Sequence, residues 1–337
     1  MTLYDVAKRA GVAVGTVRKA LGGDSTVRPY ILERVQKAAR DLDYQPNLVA
    51  QALKQKALPL VPISIQDLDQ VFFGSLATHL SRNLVEAGME PALCFDPEHL
   101  LRMSRSFSTR ASLLAAVFDE AVIRPLAKRQ KLVAIITRMR PIPNVGAIEV
   151  DFESVYRHAV DVLLAMGRRR IAFFSPFYVR ASALGWYEPK GAALRTRLGE
   201  DGLDLVGPAP QPVFRTAAEF GAWLDERPGT IDVLFCGNDM EAAHAVGVLA
   251  ARRRRTPNDV LVIGCDNNFV LPGMWTVTLD TAVLAKDAVD LLQRLLAGER
   301  VVEPQVYVPK LVDDRGVPVE APSAGKRESA SDREKRS

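Results

Sequence analysis

Thr2–Leu21 reads T-L-Y-D-V-A-K-R-A-G-V-A-V-G-T-V-R-K-A-L, and how that run is parsed decides the fold of the N-terminal part. Leu3, Val6, Ala7 and Ala10 recur at helical spacing, which predicts a first helix over Tyr4–Ala10. Asp5 falls in its first turn, where the helix dipole favours an acid. Gly11 can take φ > 0 and turn the chain sharply. A second helix is expected over Ala13–Leu21, with Val17, Ala20 and Leu21 inward and Val14, Gly15, Arg18 and Lys19 outward. Adjacent cations there suit donation to guanine O6 and N7 or to phosphates; taken alone, a solvated charged face explains them equally well. A third helix is expected over Pro29–Asp43, where Pro29 at the first position loses no amide partner. Its apolar stripe is Ile31, Val35, Ala38, Ala39 and Leu42, and Tyr44-Gln45-Pro46 breaks it.

Charge says what so small a unit binds. Thr2–Lys56 holds ten Lys and Arg against five Asp and Glu, a local net of +5 in a chain whose total is +4. The remainder therefore sums to about −1, and the basic charge sits at one end, as a nucleic-acid footprint should.

The length of 337 residues predicts two or three domains, and 48% hydrophobic residues suffice for real cores. No charged-then-apolar leader opens the chain, so no signal peptide is expected. No run approaches the roughly 20 apolar residues of a membrane helix. Cys94, Cys236 and Cys265 form no C-x-x-C pair and read as buried reduced thiols of a cytoplasmic protein. The four histidines have no metal-like spacing. No phosphate-loop, dinucleotide-fingerprint, zinc-protease or nucleophile-elbow motif occurs, so neither an enzyme nor a cofactor is expected. Residues 321–337 are rich in Ser, Lys, Arg and Glu without apolar periodicity and are expected to be disordered.

Between these ends strand-like and helix-like runs alternate. Strands are expected at Leu58–Ile65, Pro91–Phe95, Leu132–Thr137, Arg170–Ser175, Asp232–Cys236, Val260–Cys265 and Thr276–Leu279. Helices are expected at Gly74–Ala87, Phe152–Met166, Ala192–Glu200, Met240–Arg253 and Ala282–Ala297. The alternation predicts parallel sheets wrapped by helices, and the length suits two lobes around a cleft. Asp96–Arg110, unusually rich in Arg and Ser, finds no place in this scheme.

The N-terminal motifs L-Y-D-V-A-K-R-A-G-V (Leu3–Val12), T-V at Thr16, R-V-Q-K-A-A-R-D-L-D-Y-Q-P-N (Arg34–Asn47) and A-Q-A-L (Ala50–Leu53) resemble the lactose-repressor (LacI) family of bacterial transcription regulators. The body adds L-A-M-G-R-R-R-I-A-F-F (Leu164–Phe174), F-C-G-N-D-M-E-A-A-H-A-V-G (Phe235–Gly247) and T-P-N-D-V-L-V-I-G-C-D (Thr256–Asp266). The resemblance implies an all-α helix-turn-helix head with a hinge helix, then a two-lobed α/β core like that of periplasmic binding proteins. The expected division is 1–45 for the head, 46–57 for the hinge, 58–320 for the effector-binding and dimerisation core, and 321–337 for the tail. The implied DNA contacts are Thr2, Leu3, Tyr4, Val14, Gly15, Thr16, Arg18, Lys19, Arg28, Asn47, Ala50 and Leu53. Tyr4 and Thr16 would hold phosphates, Val14, Gly15 and Lys19 would face bases, and Leu53 would wedge into a minor-groove step. Three positions depart from the family pattern: Ala13 and Arg28 replace Ser, and Arg18-Lys19 replaces Ser-Arg. The third helix then lacks its usual N-cap, and Arg28 is left to reach a phosphate.

The same resemblance implies an effector site at the strand ends facing the cleft, where open parallel sheets bind ligands. Its expected members are Phe72, Asp151, Trp186, Glu188, Asn238, Asp266 and Trp275. Asp239 reads instead as the N-cap of its helix, a role needing no ligand. Phe72, within Q-V-F-F-G-S-L, suits an aromatic wall or the core; Trp186, Tyr187 and Trp275 suit stacking or packing. V-D-F-E-S-V (Val150–Val155) has Phe152 and Val155 where the family has Asn and Gly. Glu188 stands where sugar-binding relatives have Arg, and Leu279 where they have Gln. That inversion favours a hydroxyl-rich or cationic ligand over an acid. The expectation is a cytoplasmic homodimeric repressor, nucleoid-associated when bound, on a near-palindromic double-stranded operator and controlled by a carbohydrate-like effector. The alternatives are a DNA-binding regulator blind to effectors and a non-DNA binding or enzymatic α/β protein. No membrane partner and no tetramerising coiled coil are expected.

Overall fold

The computed structural model describes residues 1–22, 24, 26–44, 59–65, 67–117, 119–136, 139–176, 189–207, 213–214, 216–227 and 229–320. Asn47, Ala50, Leu53, Trp186 and Glu188, the hinge helix and the tail lie outside the described residues.

The head is three helices, α1 (Leu3–Ala10), α2 (Val14–Leu21) and α3 (Pro29–Asp41). A reciprocal cap starts α1: the Asp5 amide donates to Thr2 Oγ1, and the Thr2 amide donates to Asp5 Oδ2 at 2.8 Å. Gly11 ends it at φ 62°, ψ 41°, its amide directed to the carbonyls of Ala7 and Lys8. Helices α2 and α3 begin at Ala13 and Arg28 without any side-chain cap, as the missing serines predict. Val6, Val17 and Val35, one from each helix, are fully buried against one another's helices. Each contributes about 1.5–3 kcal/mol, and Leu3, Ile31, Leu32 and Leu42 pack around them.

The first lobe holds β1 (Leu60–Ile65), α4 (Val71–Glu86), β2 (Glu90–Cys94), α5 (Pro97–Phe107), β3 (Ala111–Ala115), α6 (Glu120–Ala127), β4 (Lys131–Ile135) and β5 (Val145–Val150). The second holds α7 (Phe152–Ala165), β6 (Ile171–Phe174), α8 (Pro189–Glu200), β7 (Val213–Phe214), α9 (Ala217–Glu226), β8 (Val233–Cys236), α10 (Asp239–Ala251), β9 (Leu261–Asp266) and β10 (Trp275–Thr278). The chain then returns: α11 (Thr281–Leu296) packs on α4, and β11 (Gln305–Tyr307) pairs with β5. Finally β12 (Leu311–Val312) rejoins the second sheet, antiparallel to β10. The sheet orders are β11-β5-β4-β3-β1-β2 and β12-β10-β9-β8-β6-β7. Strands β3, β6 and β8 are buried along their whole length because helices cover both faces of a parallel sheet.

The segment that found no place in the sequence reading is helix α5. Asp96 caps it by accepting from the His99 amide at 2.6 Å, and Pro97 takes the first helical position. Strands β3, β5, β7, β11 and β12 and helices α6 and α9 are likewise additions to the expected list. All three cysteines are buried and free.

Candidate effector cleft and DNA-facing head

The polar heart of the cleft is built where β8 and β9 end. Asn238 is the N-cap of α10, its Oδ1 accepting from the Glu241 amide at 2.8 Å. This corrects the reading of Asp239 as the cap. Asp239 is the first helical residue and is 1% exposed. One residue of register decides the matter, because only the position before the helix has the extended backbone that turns a side chain back onto the helix amides. Freed from capping, the Asp239 carboxylate points across to β9 and β10. It accepts from Thr276 Oγ1 at 2.7 Å and from the Asn268 amide at 2.7 Å. Gly264 makes room for it, since a Cβ there would strike Asp239 Oδ1. Burial pushes the carboxyl up to about 7, with nearby Asp266 adding to the rise and the Thr276 and Asn268 donors opposing it.

Asp266 closes β9 at φ 98°, followed by Asn267 at φ 54°, two non-glycine residues in the positive-φ region. Such conformations persist only where surrounding bonds fix them, and they gather at ligand sites. Burial raises the Asp266 carboxyl, while the charge of Lys190 works against the rise. Lys190 donates from Nζ to the Gly237 carbonyl at 2.5 Å and lies 5.4 Å from the centre of the Phe152 ring. Asn238, Asp239 and Asp266 line a cavity of about 250 Å³, whose opposite wall comes from Asp69 and Phe72 of the first lobe. Phe72 does both jobs: it faces this cavity and packs edge-on to Phe73, centroids 5.3 Å apart. Glu241, His244 and Asn268, with the Phe269 ring beside them, also line this side and were not singled out in the sequence. The helical spacing of Glu241 and His244 from Asn238, and the Asn-Phe pair just past Asp266, were the available signals.

Two expected members stand elsewhere. Asp151 caps α7, accepting from the Ser154 amide at 3.0 Å and from Ser154 Oγ at 2.6 Å, and does not line this cavity. Trp275 opens β10 and packs, partly buried, against the main core.

On the head, Tyr4 is 73% exposed and Gly15, Arg18, Lys19 and Arg28 are exposed. A Cβ on Gly15 would meet nothing within 4 Å, so that surface can approach another molecule closely. Lys19 is held loosely, its Nζ 3.8 Å from Asp24. Val14 and Thr16 are half-buried, and Val14 and Leu3 pack partly against the head core. The Thr2 hydroxyl is committed to Asp5 at 2.9 Å. Tyr30, 54% exposed two residues after Arg28, is an aromatic the sequence reading left aside.

Residues 2–47 match the model of bacterial regulatory proteins of the lacI family, and residues 160–316 match the periplasmic binding protein-like domain. The head is a lacI-family regulatory domain, joined to a periplasmic binding protein-like domain. The regulator is 24% identical over 332 residues to the catabolite control protein A of Priestia megaterium, covering 94% of this chain and 98% of that one. It is also 24% identical over 335 residues to the ribose operon repressor of Escherichia coli K12, covering 94% and 99%. Among solved structures, a Lac repressor dimer bound to operator and the anti-inducer ONPF superposes with a TM-score of 0.74 at 21% identity, covering 95% and 99%. A complex of the regulator CelR with cellobiose gives 0.60 at 22%, covering 95% and 99%. The head is thus the family's helix-turn-helix domain and the body its two-lobed α/β core. No described helix is long and apolar enough to cross a membrane.

Proposed function

We propose that this regulator is a transcriptional repressor that binds a near-palindromic operator as a homodimer and is controlled by a small polar molecule in the interlobe cleft. The observation that carries the reading is the pairing, in one chain, of an exposed basic α2 face with a cleft whose polar groups sit on the ends of parallel strands. A two-fold protein reads two-fold DNA, so two heads would read two half-sites. On this reading Lys19 and Arg18 read bases, Tyr4 and Thr16 hold phosphates, and Leu53 enters the minor groove between the half-sites. Relatives support the regulatory half: one is named a ribose operon repressor, and one solved neighbour is bound to operator.

The cleft sets the class of effector. Asp69, Asp239, Glu241 and Asp266 line it, and among the described lining residues there is no Lys or Arg. An anionic ligand would meet four acidic side chains with only the neighbouring Lys190 to offset them, so a neutral hydroxyl-rich molecule or a cationic one fits better than a phosphorylated or acidic sugar. Glu188, on the family's Arg position, works in the same direction. Full-length protein would be used to select duplexes from a random pool, and the recovered operator titrated with neutral sugars, amino sugars and sugar acids. The reading expects a palindromic consensus and a 5- to 150-fold change in affinity, roughly 1–3 kcal/mol of coupling, with the first two classes only. No enrichment sinks the DNA role. Enrichment without any response favours a regulator blind to effectors.

A further inference from the structure

The first-lobe strands β1 to β5 run parallel, so all begin at one end of the lobe, opposite the cleft. A groove of about 780 Å³ opens at that end. Its walls carry Arg105, Arg110, Lys128, Arg129 and Lys131, and no carboxylate lines it among the described residues. Among the described residues none of the five forms an ion pair. Lys131 is held by Asn144, its Nζ donating to Oδ1 at 2.6 Å. The floor is neutral and polar: Thr109 Oγ1 donates to Gln130 Oε1 at 2.7 Å, and Gln130 Nε2 donates to Ser112 Oγ at 3.0 Å.

Helix dipoles account for only part of this charge. Arg105 sits in the last turn of α5 and Lys128 caps α6, where cations are expected. Two helix ends bring about −0.5 each, roughly one charge against five. Arg110, Arg129 and Lys131 lie beyond both helices.

Position identifies the occupant. Strand β1 pairs with β3 at Ile63 and Leu113, and the same register carried back three residues sets Leu60 beside Arg110. Leu60 opens the first strand after the segment joining the head to the body, so the groove lies one strand from the point where the DNA-binding half arrives. Its form agrees. Four of its cations are exposed and Lys131 is half-buried, with no buried charge to enclose a single small anion. An open row of exposed cations matches the repeated phosphates of a polymer.

We propose that this groove is a second phosphate-binding surface, one that grips the operator duplex outside the half-sites read by the heads. The proposal rests on the regulator reading above. The test uses full-length protein and the selected operator in two lengths, minimal and extended by about 15 base pairs on each side. The variant is Arg110→Gln/Arg129→Gln/Lys131→Gln, three changes in the first lobe, two at exposed and one at a half-buried position; an unchanged melting curve checks its fold. Wild type should bind the extended duplex more tightly. Three added phosphate contacts steepen the salt slope by about 2.7, so that advantage should shrink roughly 40-fold between about 50 and about 200 mM salt. The variant should bind the minimal operator like wild type and show no preference for length. A wild type indifferent to length, or a variant that keeps the preference, overturns the proposal. So does loss of the preference to millimolar inorganic phosphate beyond the effect of matched chloride, which would assign the groove to a small anion. Failure on the minimal operator instead brings down the regulator reading itself, and the proposal with it.

Discussion

Gly11 is where the head can be tested most sharply. Its φ of 62° places it in the left-handed region, which costs a residue with a Cβ about 1–2 kcal/mol. The added methyl would also come within 2.9 Å of Arg34 Nη2. That nitrogen donates to the Ala10 carbonyl at 2.6 Å, the bond that ties α3 to the end of α1. The guanidinium is the far end of a flexible side chain, so it would swing aside and forfeit part of a charge-assisted bond, about 1 kcal/mol. Gly11→Ala should therefore destabilise the head by about 2–3 kcal/mol. Amide hydrogen exchange in the full-length protein reads this directly: protection across α1 and α3 should fall roughly 30- to 150-fold, while the two lobes keep theirs. Gly11→Asn separates the two causes, since Asn tolerates the left-handed region and would leave mainly the Arg34 displacement. In an Arg34→Ala background the cost of Gly11→Ala should shrink by about 1 kcal/mol, the coupling a double-mutant cycle measures. Protection that moves less than about threefold in Gly11→Ala would refute the reasoning, because the turn would then not be what fixes the head.

Burial raises the folded Asp239 carboxyl from 3.8 to about 7, so the folded state holds this proton more tightly than the unfolded chain does. Its contribution is complete below pH 4 and fades as pH rises to about 7, on the order of 4 kcal/mol across that window. Wild-type melting temperature should carry this downward component between pH 5 and pH 7, and Asp239→Asn should lack it; parallel profiles would contradict the assignment. Arg28→Ser supplies the cap that α3 lacks and should stabilise the head by about 1 kcal/mol, seen as slower exchange in α3. If Arg28 also grips a phosphate, the same change weakens every duplex alike. Lys19→Ala should alter the sequences recovered by selection, whereas Tyr4→Phe should lower affinity across sequences; an unchanged consensus for Lys19→Ala removes it from the base-reading set.

The head was legible because its signals are local: helical spacing, one left-handed glycine and one proline at a helix start all lie within a turn of what they specify. Helix α5 carried comparable signals in Asp96 and Pro97, but its dense Arg and Ser content masked the stripe ending in Leu100 and Ser104. Pro125 inside α6 reads as a breaker, yet it stands in the second half of an eight-residue helix whose buried face is Val122, Ile123 and Leu126. Strands β7, β11 and β12 are two or three residues long, too short for alternation to register. In the cleft, the strand-end motifs were visible, but the division of labour between Asn238 and Asp239 was not. It depends on where the helix begins to within one residue, and on a partner, Thr276, that is 37 residues away.

Least visible of all was how the lobes are joined, because that is decided by returns of the chain rather than by any one stretch. The backbone crosses between lobes three times: at Asp151, between β10 and α11, and between β11 and β12. One residue ties these crossings together. The Tyr307 carbonyl accepts from the Asp151 amide at 2.9 Å, its hydroxyl accepts from the Asp280 amide at 2.9 Å, and the third crossing begins at Tyr307 itself. Rotation of one lobe against the other must pass through these three strands of backbone, and Tyr307 links them by two hydrogen bonds worth about 1 kcal/mol each. The cleft carboxylates lie at the strand ends of the second lobe, while the chain coming from the head joins the first lobe at the opposite, starting end of its sheet. A ligand drawing Asp266 and Phe72 together would therefore reach the head through a reorientation of the first lobe, and Tyr307, bonded to two of the crossings and opening the third, stands where such a turn would pivot.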